Sequence, residues 1–103
     1  MESISFERAK ELIDSEKAVL TDVREEEEYI LGHAAGAVLL PLDTINSESA
    51  AAVIPSKATP VILYCKTGSR SSQAALMLEE IGYTRVYDIG GLVGWEYGIE
   101  YEY

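Results

Sequence analysis

The run Tyr64-Cys65-Lys66-Thr67-Gly68-Ser69-Arg70-Ser71-Ser72-Gln73 gathers the chain's only cysteine with two cations, a glycine and three serines. A thiol becomes a nucleophile only as thiolate, so the chemistry depends on what favours the charged sulfur. Three effects converge here. Backbone N–H groups of a tight turn form an anion-binding nest. The first N–H groups of a following helix lack intrahelical partners and carry partial positive charge. Lys66 and Arg70 add full charges nearby. Thiols in such surroundings titrate at about 3.5–7.5, against about 8.5 when free. Gly68 permits a positive φ in mid-loop. The competing reading is an inert, buried cysteine, a common fate for a free thiol.

Two elements must position this loop. Val61-Ile62-Leu63-Tyr64 follows Pro60 as a short apolar, partly β-branched run and reads as a buried strand. Ala74, Met77, Leu78 and Ile81 recur at helical spacing, and Gly82 suits the helix end. The thiol thus sits at the carboxyl end of a strand, facing a helix start, where open α/β sheets place ligands.

Cys65-Lys66-Thr67-Gly68-Ser69-Arg70 resembles the Cys-x-x-Gly-x-Arg active-site loop of the rhodanese family of sulfurtransferases. Cell-cycle phosphatases of the same fold carry one more residue between cysteine and arginine, so the shorter loop here favours a sulfur-transfer substrate. Asp22-Val23-Arg24, before an acidic helix, is similar to the family's Asp-x-Arg. Gly32-His33-Ala34-Ala35-Gly36-Ala37 resembles its Gly-His-Ile-Pro-Gly-Ala turn but departs at Ala34-Ala35. Gly90-Gly91 with Trp95 matches its closing Gly-Gly-x-x-x-Trp.

The resemblance implies an α/β, rhodanese-like fold: a small central, mainly parallel sheet with helices on both faces. It implies a thiosulfate sulfurtransferase in which Cys65 becomes a persulfide, with no organic cofactor or metal. Lys66, Thr67, Gly68, Ser69 and Arg70 would bind substrate, and Asp22 and Arg24 would support the loop. His33 would be structural rather than a general base. A carrier module with little turnover is the alternative, and a phosphatase or arsenate-reducing enzyme a more distant one.

Elsewhere, Ser5 is expected to cap a helix through Phe6, Ala9, Leu12 and Ile13. Strands are expected over 18–23, 38–41 and 85–89. The carboxylates Glu25 to Glu28 would complement a helix dipole. Ser47 or Ser49 would cap a short helix over 50–54, and Trp95 would anchor another on the core. The tail 98–103 alternates aromatic and acidic residues, as a docking strand or a free end would. Buried strands alternating with helical patterns independently indicate α/β architecture.

At 103 residues, 48% hydrophobic and 25% charged, the chain has the size and composition of one globular domain, expected to span 1–103 as a monomer. No stretch approaches the roughly 18 apolar residues of a membrane span. The start Met1-Glu2-Ser3 lacks signal-peptide character, which points to the cytoplasm. One cysteine forbids an internal disulfide, and with a lone His33 it leaves no zinc-ligand set. A net charge of −10 argues against nucleic acid as partner. The expected partners are a small thiosulfate-like anion and an external thiol or protein acceptor, because no second cysteine in the chain can resolve a persulfide.

Overall fold

A computed structural model describes residues 1–103. In chain order the elements are β1 (Glu2–Ser3), α1 (Phe6–Glu16), β2 (Val19–Asp22), α2 (Glu26–Ile30), β3 (His33–Ala34) and β4 (Val38–Leu39). A 3-10 turn (Leu42–Thr44), α3 (Ser47–Val53), β5 (Val61–Tyr64), α4 (Ser69–Ile81), β6 (Val86–Gly90) and β7 (Ile99–Glu100) follow. Five strands form a parallel sheet in the order β1-β6-β5-β2-β4, while β3 and β7 pair antiparallel as a separate ribbon. The expected α/β class holds, with helices on both faces. No helix is long and apolar enough to cross a membrane.

The central strand β5 is buried at every position because both faces are covered. Its side chains alternate. Val61, Leu63 and Cys65 join the cluster built with Ala74, Ala75 and Leu78 of α4 and with Ala50 and Ile54 of the α3 segment. Ile62 and Tyr64 point the other way, into the cluster with Ala9 and Leu12 of α1. Register then decides what shares the carboxyl rim. Asp22 lies opposite Tyr64 across β2–β5, and Tyr64 opposite Gly90 across β5–β6. The segments 22–24, 65–70 and 90–91, far apart in the chain, therefore meet at one edge of the sheet.

Two expectations need correction at the ends of helices. α3 begins at Ser47 and its cap is Asn46, whose side chain accepts the Ser49 N–H at 2.9 Å while the Asn46 N–H donates to Ser49 Oγ at 2.9 Å. Asn is as good a cap as Ser, and this reciprocal pair outcompetes a later start. No helix forms at Trp95: residues 92–95 make a turn closed by Trp95 N–H to the Leu92 carbonyl at 2.9 Å. The indole packs edge-on against Phe6 at 5.3 Å and Tyr97 at 5.0 Å, holding α1 through aromatic contact instead. Within the tail, Ile99 and Glu100 form a strand paired with Ala34 and His33, while 101–103 beyond them are exposed and take no regular structure.

Candidate active site

Cys65 is the first residue past β5, and the loop it opens ends at the first turn of α4. The residue is 1% exposed, while Lys66, Thr67 and Ser69 around it are open to solvent. Its sulfur therefore lies on the floor of the loop, beneath an exposed rim. Gly68 takes φ +97°, which turns its N–H inward to donate to Cys65 Sγ at 2.9 Å. Ser71, fully buried in the first turn of α4, places its hydroxyl 3.5 Å from the sulfur and 3.1 Å from the Gly68 carbonyl. Burial works against ionisation of the thiol, but hydrogen bonds from the Ser71 side chain and from the backbone of Ser71, Gly68 and Thr67 outweigh it. The net effect holds the thiol below its ordinary value. Fixed dipoles thus favour a nucleophilic sulfur anion here.

Contacts from both neighbouring strands converge on the end of β5, where the loop begins; those on the β2 side reach Tyr64 and residues 32–34 rather than 65–70. On the β6 side, Cys65 N–H donates to the Gly90 carbonyl at 2.8 Å. A Cβ on Gly91 would stand 2.4 Å from the Lys66 carbonyl oxygen, so only glycine lets the two backbones approach this closely. On the β2 side, Arg24 Nη2 meets the buried Asp22 Oδ2 at 2.7 Å and donates to the Gly32 carbonyl at 2.7 Å. The Tyr64 hydroxyl donates to Asp22 Oδ2 at 2.6 Å and accepts the Ala34 N–H at 3.0 Å. Burial, with the Asp22 carboxylate beside it, pushes the Tyr64 phenol well above its usual range, which keeps it a neutral donor. No buried side-chain polar atom of this network lacks a partner, as a buried ion pair requires.

The two loop cations differ from the expectation of two free charges. Lys66 is exposed at the rim. Arg70 is held by Glu28 of α2 in a bidentate pair, Nη1 to Oε1 at 2.6 Å and Nη2 to Oε2 at 3.0 Å. The guanidinium lowers the Glu28 carboxyl to about 2. The ionisation of Cys65 therefore rests on loop dipoles more than on full charges. Glu28 likewise does more than complement a helix dipole, the role expected for the acidic run. It also accepts the Glu25 N–H at 3.0 Å, closing the first turn of α2. His33 is buried, and its contacts are with α2 and the tail rather than with the cysteine loop. Its ring stacks on Tyr29 at 3.7 Å, Nδ1 lies 2.9 Å from the Tyr29 carbonyl, and Nε2 is 3.7 Å from both Glu100 and Glu102. No group of metal-ligating side chains occurs in the chain.

The family model described as Rhodanese-like domain matches residues 5–97. This chain belongs to that family. Within it, this rhodanese-like domain is similar to the thiosulfate sulfurtransferase GlpE of Tolumonas auensis, with 33% identity over 95% of this chain and 91% of the relative. It is also 37% identical to the probable adenylyltransferase/sulfurtransferase MoeZ of Mycobacterium tuberculosis over 90% of this chain, yet spans only 24% of that protein's length. Among solved structures, the Escherichia coli rhodanese with bound anions superposes with a TM-score of 0.75 at 36% identity, over 82% of this chain and 98% of the other.

Three residues of the site were given no part in it by the sequence reading. Ser71 stands six positions after the cysteine, in a helix's first turn, where a short hydroxyl can reach back to the loop. Glu28 stands three after Glu25, the spacing of a capping box. Tyr64 adjoins the cysteine but reads as one more apolar strand residue. Only the strand register reveals its partner Asp22.

Proposed function

We propose that this rhodanese-like domain, acting as one unit over 1–103, transfers a sulfane sulfur from a thiosulfate-like donor through a persulfide on Cys65. The observation that carries this reading is the Cys65 sulfur 2.9 Å from the Gly68 N–H and 3.5 Å from the Ser71 hydroxyl. The Cys65 thiolate attacks the outer sulfur of thiosulfate. A sulfur–sulfur bond forms at Cys65, the donor's sulfur–sulfur bond breaks, and sulfite leaves with that bond's electron pair. Cyanide, or a thiolate of another molecule, then attacks the outer persulfide sulfur and returns Cys65 to thiolate. Backbone N–H groups of Thr67, Gly68 and Ser69, with Lys66 and Arg70, hold the anionic donor and the outer sulfur. Asp22 and Arg24 support the loop. No metal or organic cofactor takes part. The acceptor is external because the chain has no second thiol.

Mass spectrometry before and after thiosulfate tests the proposal. Gain of one sulfur at Cys65, lost again on adding cyanide with release of thiocyanate over many cycles, is the expected result. Persulfide without repeated turnover would instead make the domain a carrier. No gain of sulfur by folded protein, or an unchanged gain in Cys65→Ser, would overturn the proposal.

A further inference from the structure

The Arg70–Glu28 pair bears on which donors the site accepts. Both partners are about one-third exposed, 31% each, so the pair sits at the loop's rim rather than in the core. Both terminal nitrogens of Arg70 already face a carboxylate, which offsets the guanidinium charge and leaves only its remaining N–H groups for a donor. A small cleft against Arg70 is lined by Glu25 and Asp43 beside Val23, Pro41 and Leu42. Around Arg70, the carboxylates of Glu28, Glu25 and Asp43 outnumber the cation. In the same potential, a donor carrying two negative charges meets about twice the unfavourable energy that a donor with one meets.

We infer that Glu28 is a specificity-determining residue: by occupying Arg70 it disfavours dianionic donors such as thiosulfate relative to donors with one negative charge, such as persulfides and thiosulfonates. The inference rests on the proposed sulfur transfer at Cys65. A thiosulfonate delivers its sulfur by the same balanced step, its sulfur–sulfur bond breaking as the one to Cys65 forms, with a sulfinate leaving. Glu28 touches neither sulfur in this account. It acts through Arg70, as a positioning residue.

Steady-state thiocyanate formation from thiosulfate and from benzenethiosulfonate, in wild type and Glu28→Gln, provides the test. Glutamine keeps an Oε1 acceptor for the Glu25 N–H, so α2 retains its first turn, and circular dichroism verifies the fold. Freeing Arg70 is expected to lower KM roughly tenfold for thiosulfate and about threefold for the singly charged donor, because the logarithm of the effect scales with donor charge. The value of kcat should stay within about twofold, as for a change in uniform binding. In an Arg70→Gln background the same substitution should change the thiosulfate KM by less than about threefold. An unchanged or higher KM, equal effects on both donors, a fall in kcat alone, or a tenfold effect that persists without Arg70 would each overturn the inference.

A second measurement needs no turnover. Sulfate, an unreactive dianion, should protect Cys65 from iodoacetamide at roughly tenfold lower concentration in Glu28→Gln than in wild type. Absence of that difference overturns the role of Glu28 even if sulfur transfer stands. If the difference appears but neither donor yields a persulfide, the transfer reading is what fails.

Discussion

Position 71 decides more of the sulfur's behaviour than the flanking cations do. Ser71 supplies the hydroxyl beside Cys65 from a fully buried site, whereas Arg70 is already engaged by Glu28. A hydrogen bond to a charged group contributes about 1.5–3 kcal/mol. Ser71→Ala is therefore expected to raise the thiol pKa toward its ordinary value. Because thiolate is the reactive form, alkylation by iodoacetamide should rise as pH rises through that pKa and then level off. In the variant the rise should come at higher pH, and at pH 7 the rate should be roughly tenfold lower. A superimposable pH profile would mean that the amides of Gly68 and Thr67 suffice. The position of Cys65, Gly68 and Arg70 was legible in the sequence because chemistry and turn geometry restrict those residue types. The engagement of Arg70 was not, since its partner lies 42 positions away on another element.

The elements show a similar division. β5 and α4 could be read directly, as an unbroken apolar run and a helical repeat ending in glycine. β3 and β7 could not: two residues carry no periodicity, and their pairing joins His33 to Glu100. Asn46 took the cap expected of serine because its reciprocal bonds with Ser49 satisfy two groups at once. The two glycines that close and follow β6, Gly90 and Gly91, also differ in their duties. Gly90 has φ +76° with open space where a Cβ would stand, while Gly91 faces the Lys66 carbonyl oxygen at 2.4 Å from such an atom. Gly90→Ala is expected to cost about 1 kcal/mol of backbone strain. Gly91→Ala must separate β6 from the loop and should cost roughly 2–3 kcal/mol, as severe steric substitutions do. Urea denaturation would rank them, and only Gly91→Ala should also slow sulfur uptake by Cys65. Equal losses would show that the loop accommodates the methyl group.

Across the whole molecule, a chain of net charge −10 keeps ion pairs at its sheet rim, the local Arg24–Asp22 and the Arg70–Glu28 pair that joins α4 to α2 across 42 positions. The Glu28 carboxyl, lowered to about 2 against an ordinary 4.5, ties folding to pH. A depressed acid stabilises the fold fully above its unfolded value, and that contribution is lost as pH falls through the folded one. Wild type should therefore lose stability more steeply than Glu28→Gln between about pH 4.5 and 2, the two converging at the lower limit. Urea midpoints taken across that range would check it, and parallel curves would show that the pair is not linked to folding. The fold class followed from alternating apolar strands and helices. Which segments share the rim required the registers of Asp22, Tyr64 and Gly90.

The Ser71 hydroxyl has a single proton and two acceptors within reach, the sulfur and the Gly68 oxygen. The latter keeps the Ser72 N–H at 3.1 Å whichever way the proton turns, so reorientation strands nothing. Beside a neutral thiol the proton can rest on the carbonyl. Beside an anion it swings toward the sulfur. One rotating bond is thus a built-in gauge of the neighbouring atom's ionisation, open to neutron diffraction or to isotope-edited infrared spectroscopy without any label on the sulfur.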